Sequence, residues 1–366
     1  MGQTYYPILN DYGVALGLCD RQHPRLGTDW HDLTYERSLW PIIPFSGSNL
    51  DLENAYKGPF TAAKKNDRYT HLLGTGILGK DVAAGMIEGT RVAFVVGIFS
   101  MLLALFIGLL VGSIAGYFGD NYFHLSLLSI LFTLLGLALG SFYTHLLYQL
   151  WGSSDAKLFT TFFTLVGSII VGTVCCAIFI IIGLLLDRLF SIPRTRAIPI
   201  DIILMRIVEI VNSLPALLVL MVLAGMFEVR SVWIVIFIIA FIKWTSIAKF
   251  VRAELLQIRS MDYIRAAKSS GSSEWNILWN HALPNALTPV YITVAFGIAG
   301  AILLESTISF LGIGISQEVM SWGKMLAQAR QKPSAWWLAV FPGLMIFLCV
   351  VAINIIGDKL RFAYRH

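Results

Sequence analysis

The stretch VAFVVGIFSMLLALFIGLLVGSIAGY, residues 92–117, contains no charged side chain. A helix needs about 20 mostly apolar residues to cross a hydrocarbon layer about 30 Å thick, because each residue rises about 1.5 Å. This stretch is long enough to cross. Lipid is therefore the expected solvent for at least one helix of the chain.

Six further stretches meet the same requirement. They are residues 125–150, 160–186, 203–226, 231–248, 287–312 and 336–357. Each is predicted to be a helix, because unpaired backbone groups cannot remain in hydrocarbon and the alternation of barrel strands is absent. The chain is 57% hydrophobic and 13% charged, with a mean hydropathy of +0.72. We therefore expect an all-α integral membrane protein with about seven transmembrane helices.

Lysine and arginine beside the connections predict the orientation. Residues 187–206, residues 243–285 and the tail GDKLRFAYRH together carry thirteen, whereas the other three connections carry five. The C-terminus is therefore expected in the cytoplasm, and residues 1–90 at the outer face of the membrane. No signal peptide or initial span is visible in residues 1–90. Either an upstream span is absent from this chain, or the count is wrong by one.

Other chemistries find little support in the sequence. The net charge of +5 could suggest nucleic-acid binding, but the basic residues lie beside apolar spans, so no nucleic-acid partner is expected. The histidines and cysteines show no metal-ligand spacing. GTGILGKD, residues 74–81, comes close to a nucleotide-binding loop, but no strand precedes it and a span follows it.

The longest polar connection is KFVRAELLQIRSMDYIRAAKSSGSSEWNILWNHALPNA, residues 249–286. Ser260 is a candidate N-cap for a helix over 261–270, and Gly271 can end that helix. Ser273 and Glu274 can begin a second helix, which Pro284 would stop. We therefore predict a two-helix knob, residues 261–284.

The first helix of this knob presents small residues, Ala266 and Ala267, which allow another surface to approach closely. Tyr263 and Ile264 supply apolar anchors beside them, and Asp262 suits the first turn by charge. The alternative interpretation is a solvated loop with incidental helicity.

A resemblance favours the knob. YIRAAKSSGSSEWNILWNHALPN resembles the EAA loop of ABC-importer permeases, which docks into a groove of the ATP-binding subunit. Arg265 stands where that motif has its glutamate. The positions that match the motif are Ala266, Ala267, Gly271, Ile277, Leu283 and Pro284.

Further blocks resemble the dipeptide, oligopeptide and nickel branch of these permeases. The first is HLLGTGILGKDVAAGMIEGTRVAFVVG, where Gly76 and Lys80 depart from the usual aspartate and arginine. GAILLESTISFLGIGI, SWGKMLAQAR, AWWLAVFPGL and GDKLR follow in the expected order. Residues 122–199 look like an insertion with two extra spans, and the family's initial span is not visible. The predicted organisation is an outer segment 1–90, a first span 91–121, the insertion 122–199 and a permease core 200–366.

The resemblance implies a permease subunit, not an enzyme, which forms half of a pathway for di- or oligopeptides. It implies a second homologous permease, ATP-binding cassette subunits that hold ATP and magnesium, and an external solute-binding protein. No cofactor is expected on this chain. Nickel as cargo stays an alternative, as does a secondary transporter or channel without an ATPase, which would require midplane ion pairs and inverted repeats.

Two further features lie inside the spans. Gly108, Gly112 and Gly116 recur every four residues, which predicts close packing against another helix. Glu305 is predicted either to line the pathway or to be held by buried hydrogen bonds, whereas Glu209 is expected to pair with Arg206, one turn away.

Overall fold

A computed structural model describes residues 43, 50–62, 70–120, 122, 124–152, 158–190, 196–226, 231–316 and 319–363. The predicted outer segment 1–90 therefore lies largely outside the described residues. The helices are α1 Val82–Ser113, α2 Leu127–Gly152, α3 Leu158–Leu189, α4 Ile200–Ser213, α5 Ala216–Met226, α6 Val232–Ile258, α7 Asp262–Ser269, α8 Glu274–Ile277, α9 Leu283–Phe310, α10 Trp322–Gln331 and α11 Trp337–Ala363. Two short antiparallel pairs join β1 Thr61–Ala62 to β2 Thr70–His71 and β3 His124–Leu125 to β4 Arg196–Ala197.

Helix α1 and the π-helical turn that follows it, Ile114–Phe118, pack along α6 through three spaced glycines. A methyl group on Gly108 would lie 2.8 Å from Ile247, and one on Gly112 would lie 2.6 Å from the carbonyl oxygen of Ala248. Gly116 is equally close to the backbone of Arg252. The predicted close packing is confirmed, because only glycine leaves room for the facing backbone.

Helices α2 and α3 form an antiparallel hairpin, so α3 ends on the side of the bundle where α2 begins. The pairing of β3 with β4 closes its base. Beside that base, the buried carboxylate of Asp187 on α3 accepts hydrogen bonds from Ser126 and Ser129, each 2.5 Å long. A buried carboxylate is costly unless it is hydrogen-bonded, so these serines stabilise the closed hairpin.

The stretch 203–226, predicted as one continuous span, is broken. Helices α4 and α5 meet at an angle of 81° at Leu214 and Pro215. Leu214 is extended, with φ −83° and ψ 131°, because a following proline disfavours helical geometry and lacks a backbone N–H. Hydrophobic periodicity alone did not show this break.

The bent pair nevertheless crosses the bundle. Asp201 at the start of α4 pairs with Arg252 near the end of α6, while α6 begins with Val232, about 30 Å away along its axis. The chain must travel that distance between these two points. Among the described residues, six unbroken apolar helices are long enough to cross a membrane, and this bent pair makes up to seven, which confirms the all-α membrane fold.

The two ends of the bundle differ in character. One end, called the knob end, carries the knob and the last turn of α1. The opposite end, called the cap end, carries residues 50–62, residues 70–81 and α10. There the Trp322 indole donates to the Met86 carbonyl at 3.0 Å, and the Trp337 indole donates to the Thr75 carbonyl at 3.0 Å.

The GTGILGKD string is a structural turn at the cap end. Gly79 has φ +71°, and an added methyl group would collide with the backbone of Asp51. Asp81 accepts from the Ala84 amide at 2.7 Å as the N-cap of α1, and its carboxylate also contacts His71 Nδ1 at 2.8 Å. Asp81 stands where a phosphate-binding loop has the side chain that holds magnesium, and here it is the N-cap of α1.

Candidate functional site

The knob has the two helices that the sequence predicts, with different boundaries. Helix α7 begins after Met261, not Ser260, and Gly271 follows it with φ +84°, a conformation that favours glycine. The Ser273 hydroxyl accepts from the Asn276 amide and starts α8. Pro284 does not stop this helix. A π-helical turn, Leu278–Ala282, leads directly into α9, and the proline occupies the first turn of α9, where no N–H is needed.

The knob is fastened to the bundle by apolar side chains. Ile264, Ile277 and Leu283 are buried in the core of this chain. Ile264 is therefore not available as an anchor for a partner, and the prediction of that role is corrected. Burying side chains of this size contributes roughly 1.5–3 kcal/mol each, so the knob is held to the spans and does not swing freely.

A polar cluster, which we call the clasp, fastens the second side of the knob. Glu274 accepts from the Tyr117 hydroxyl at 2.7 Å and pairs with the Lys268 ammonium at 2.9 Å. The Arg259 guanidinium donates to the Tyr117 carbonyl at 3.1 Å. The clasp joins the two knob helices to the residues that directly follow α1 and α6.

The surface that remains open to a partner is narrower than the predicted set of residues. Ala267 is half-buried against the core, whereas six of the ten predicted knob residues are exposed. They are Asp262, Tyr263, Arg265, Ala266, Gly271 and Pro284. Trp275 and Trp279 are also about half exposed, one turn apart. These two tryptophans are not among the residues predicted from the sequence, although their spacing of four residues indicates a shared helix face.

Glu305 lies in the interior of the bundle. Its side chain is fully buried, and it accepts from the Ser309 hydroxyl at 2.7 Å and contacts the Ser306 hydroxyl at 3.4 Å. The structure thus gives Glu305 a buried, hydrogen-bonded position, and the lining of the pathway stays a prediction. The Arg206–Glu209 pair is exposed at 2.8 Å, as predicted.

Replacing Tyr117 with phenylalanine is expected to loosen the knob. The substitution removes a hydrogen bond to a carboxylate, a loss of about 1.4 kcal/mol or about tenfold in local opening. Amide hydrogen exchange over residues 262–277 should become faster by that factor. Tyr263→Phe is the matched control, because the Tyr263 hydroxyl accepts only an exposed 3.2 Å bond from Asn285. Equal exchange in both variants would contradict the role of the clasp.

The apolar spans and the attached knob define a class of membrane protein. It is the class in which a folded knob is joined to several membrane-spanning helices, as in a transport permease. Residues 195–365 match the family model of the binding-protein-dependent transport system inner membrane component. The match covers slightly less than half of the chain, and it shows that this part of the chain is similar to that family.

Relatives from two genera share this similarity. A Brucella suis protein named as a peptide permease is 27% identical over 338 residues, covering 91% of this chain and 81% of the relative. Another, named as a peptide transport system permease, is 40% identical over 163 residues, 44% of this chain and 54% of the relative. An Escherichia coli protein named as a D,D-dipeptide transport system permease is 36% identical over 195 residues, 53% of this chain and 64% of the relative. The last two alignments cover less than two thirds of the relatives' length.

Proposed function

We propose that this chain forms half of the translocation pathway of an ATP-driven importer of di- or oligopeptides. A second homologous permease would supply the other half, and an external solute-binding protein would deliver the peptide. The relatives described above carry peptide or dipeptide permease names, which favours peptides over nickel.

The attachment of the knob to the spans supports the proposed coupling of ATP hydrolysis to transport. Its apolar residues enter the core, and the clasp joins it to the residues that directly follow α1 and α6. A partner that pushes on the exposed face would therefore move two spans together. ATP and magnesium would be held by cassette subunits that dock on this face, and this chain would bind no cofactor. Movement of rigid helices then alternates access between the two sides of the membrane.

The orientation follows from the same arrangement. A cytoplasmic ATPase can reach the knob only if the knob end faces the cytoplasm, and α11 ends at that side with Lys359 and Arg361. The C-terminus is accordingly proposed to be cytoplasmic, with the cap end toward the solute-binding protein.

Uptake by the complete assembly tests this function. The tagged chain is purified with its permease, cassette and binding-protein partners and placed in lipid vesicles with a radiolabelled tripeptide. We expect accumulation that requires both ATP and the binding protein. Vesicles that contain this chain alone serve as the control. Peptide flux without ATP hydrolysis would contradict the proposal and support a secondary transporter.

A further inference from the structure

Lys243 lies near the middle of a membrane-spanning helix. Helix α6 extends from Val232 to Ile258, and the next charged residue, the exposed Lys249, follows Lys243 by about 9 Å along the axis. That distance exceeds the reach of a lysine side chain, so the ammonium cannot extend to the headgroups. The prediction that counted Lys243 with the cytoplasmic connection is thereby corrected.

The lysine faces the bundle and not the lipid. Ile239, Ala240 and Ile247, one turn before and after it, are all buried. The exposed apolar stripe of α6 includes Phe241, which lies about 200° around the helix from residue 243 at about 100° per residue. An exposed cation on the lipid side would be strongly unfavourable, whereas an inward one is tolerated beside protein or water.

The Lys243 ammonium rests against the backbone of α9. A methyl group on Gly300 would lie 3.3 Å from its nitrogen. Among the described residues, no carboxylate pairs with this ammonium and no side chain accepts a hydrogen bond from it. The side chain is also partly exposed. A cation inside a candidate span, with an open side and no counter-charge among the described residues, is therefore available to an anion.

An apolar pocket lies farther along the same helix. It is lined by residues of α5, by residues near the end of α9 and by residues just after it: Leu217, Leu220, Met221, Thr307, Ile308, Leu311 and Ile313. Thr307 follows Gly300 by about two helical turns, roughly 10 Å toward the cap end. Its volume of about 10 Å³ is too small for a peptide side chain, so the charge of Lys243 alone defines the ligand.

We propose that Lys243 lines the translocation pathway and binds the terminal carboxylate of a passing peptide, so that the importer favours peptides with a free C-terminus. This inference rests on the proposed function. The contact would be a charge-assisted hydrogen bond that is open to water on one side. Such a contact suits a site that must also release its substrate.

Paired substrates test the contact in vesicles that contain the complete importer. Uptake of a radiolabelled tripeptide is compared with uptake of its C-terminal amide, for wild type, Lys243→Met and Lys243→Arg. We expect Lys243→Met to lose about tenfold or more on the acid and less than about twofold on the amide, while Lys243→Arg retains both. Equal loss on both substrates, or loss on neither, would overturn the proposal.

Two further measurements separate the remaining explanations. A water-soluble carbodiimide couples carboxylates to nearby amines, so the purified complex without its binding protein should carry the tripeptide on Lys243, as mass spectrometry would show. Absence of this product would also overturn the inference. Loss of the second permease on purification of Lys243→Met would mean that the lysine pairs with a subunit, not with substrate. A wild-type assembly that takes up no tripeptide would instead contradict the proposed function itself.

Discussion

Replacing Ala266 with aspartate is expected to abolish docking of the ATPase subunit while leaving the permease folded. Ala266 is exposed on α7, and its small side chain permits close approach of a partner surface. An aspartate there would place an unpaired carboxylate in the contact, and disruption at the centre of such interfaces lowers affinity by about 30-fold or more. Recovery of the cassette subunit with the tagged permease measures the effect.

Ala266 is a better position for this experiment than its neighbours. Ala267 is half-buried against the core of this chain, and Gly271 has φ +84°, so substitution of either would also disturb the knob itself. Gln257→Glu is the matched control, because it adds the same charge at an exposed position of α6 outside the knob. If Ala266→Asp and Gln257→Glu recover equal amounts of the cassette subunit, α7 is not the docking surface.

Local sequence features predicted the parts of the knob that depend on local physics. Gly271 takes the positive φ expected after a helix, and Ser273 caps α8 through its own hydroxyl. Both effects depend on a few adjacent residues. Hydropathy likewise predicted the spans, because a hydrocarbon layer demands long apolar helices wherever the chain crosses it.

Tertiary contacts decided what the sequence did not show. Ile264 looks like a surface anchor in an isolated amphipathic helix, but packing against the core buries it. Pro284 resembles a stop signal, but a π-helical turn brings it to the start of α9, where its missing N–H costs nothing. Lys243 was assigned to a connection because charge usually marks one. In the structure α6 continues to Ile258, which places Lys243 well inside the membrane-spanning helix.

Replacing Gly112 with alanine is expected to destabilise the bundle strongly, against the intrinsic preference of a helix for alanine. Alanine favours a helix by about 1 kcal/mol over glycine. At this position, however, the added carbon would lie 2.6 Å from a backbone oxygen and 2.8 Å from Val251 Cβ. A backbone group cannot rotate away, so α1 and α6 must separate and lose the contacts along their length. Such overpacking costs about 1–3 kcal/mol or more, which exceeds the propensity gain.

Gly343→Ala isolates this steric effect. Gly343 also lies in an apolar membrane-spanning helix, α11, but a methyl group there would meet no atom within 4 Å. This control should keep or slightly raise the melting temperature, whereas Gly112→Ala should lower both the melting temperature and the monodisperse yield in detergent. Because the same substitution is made in both helices, only the opposing backbone distinguishes them. Equal stability of the two variants would mean that α1 and α6 can move apart without loss, and the transmission of knob movement through that contact would have to be abandoned.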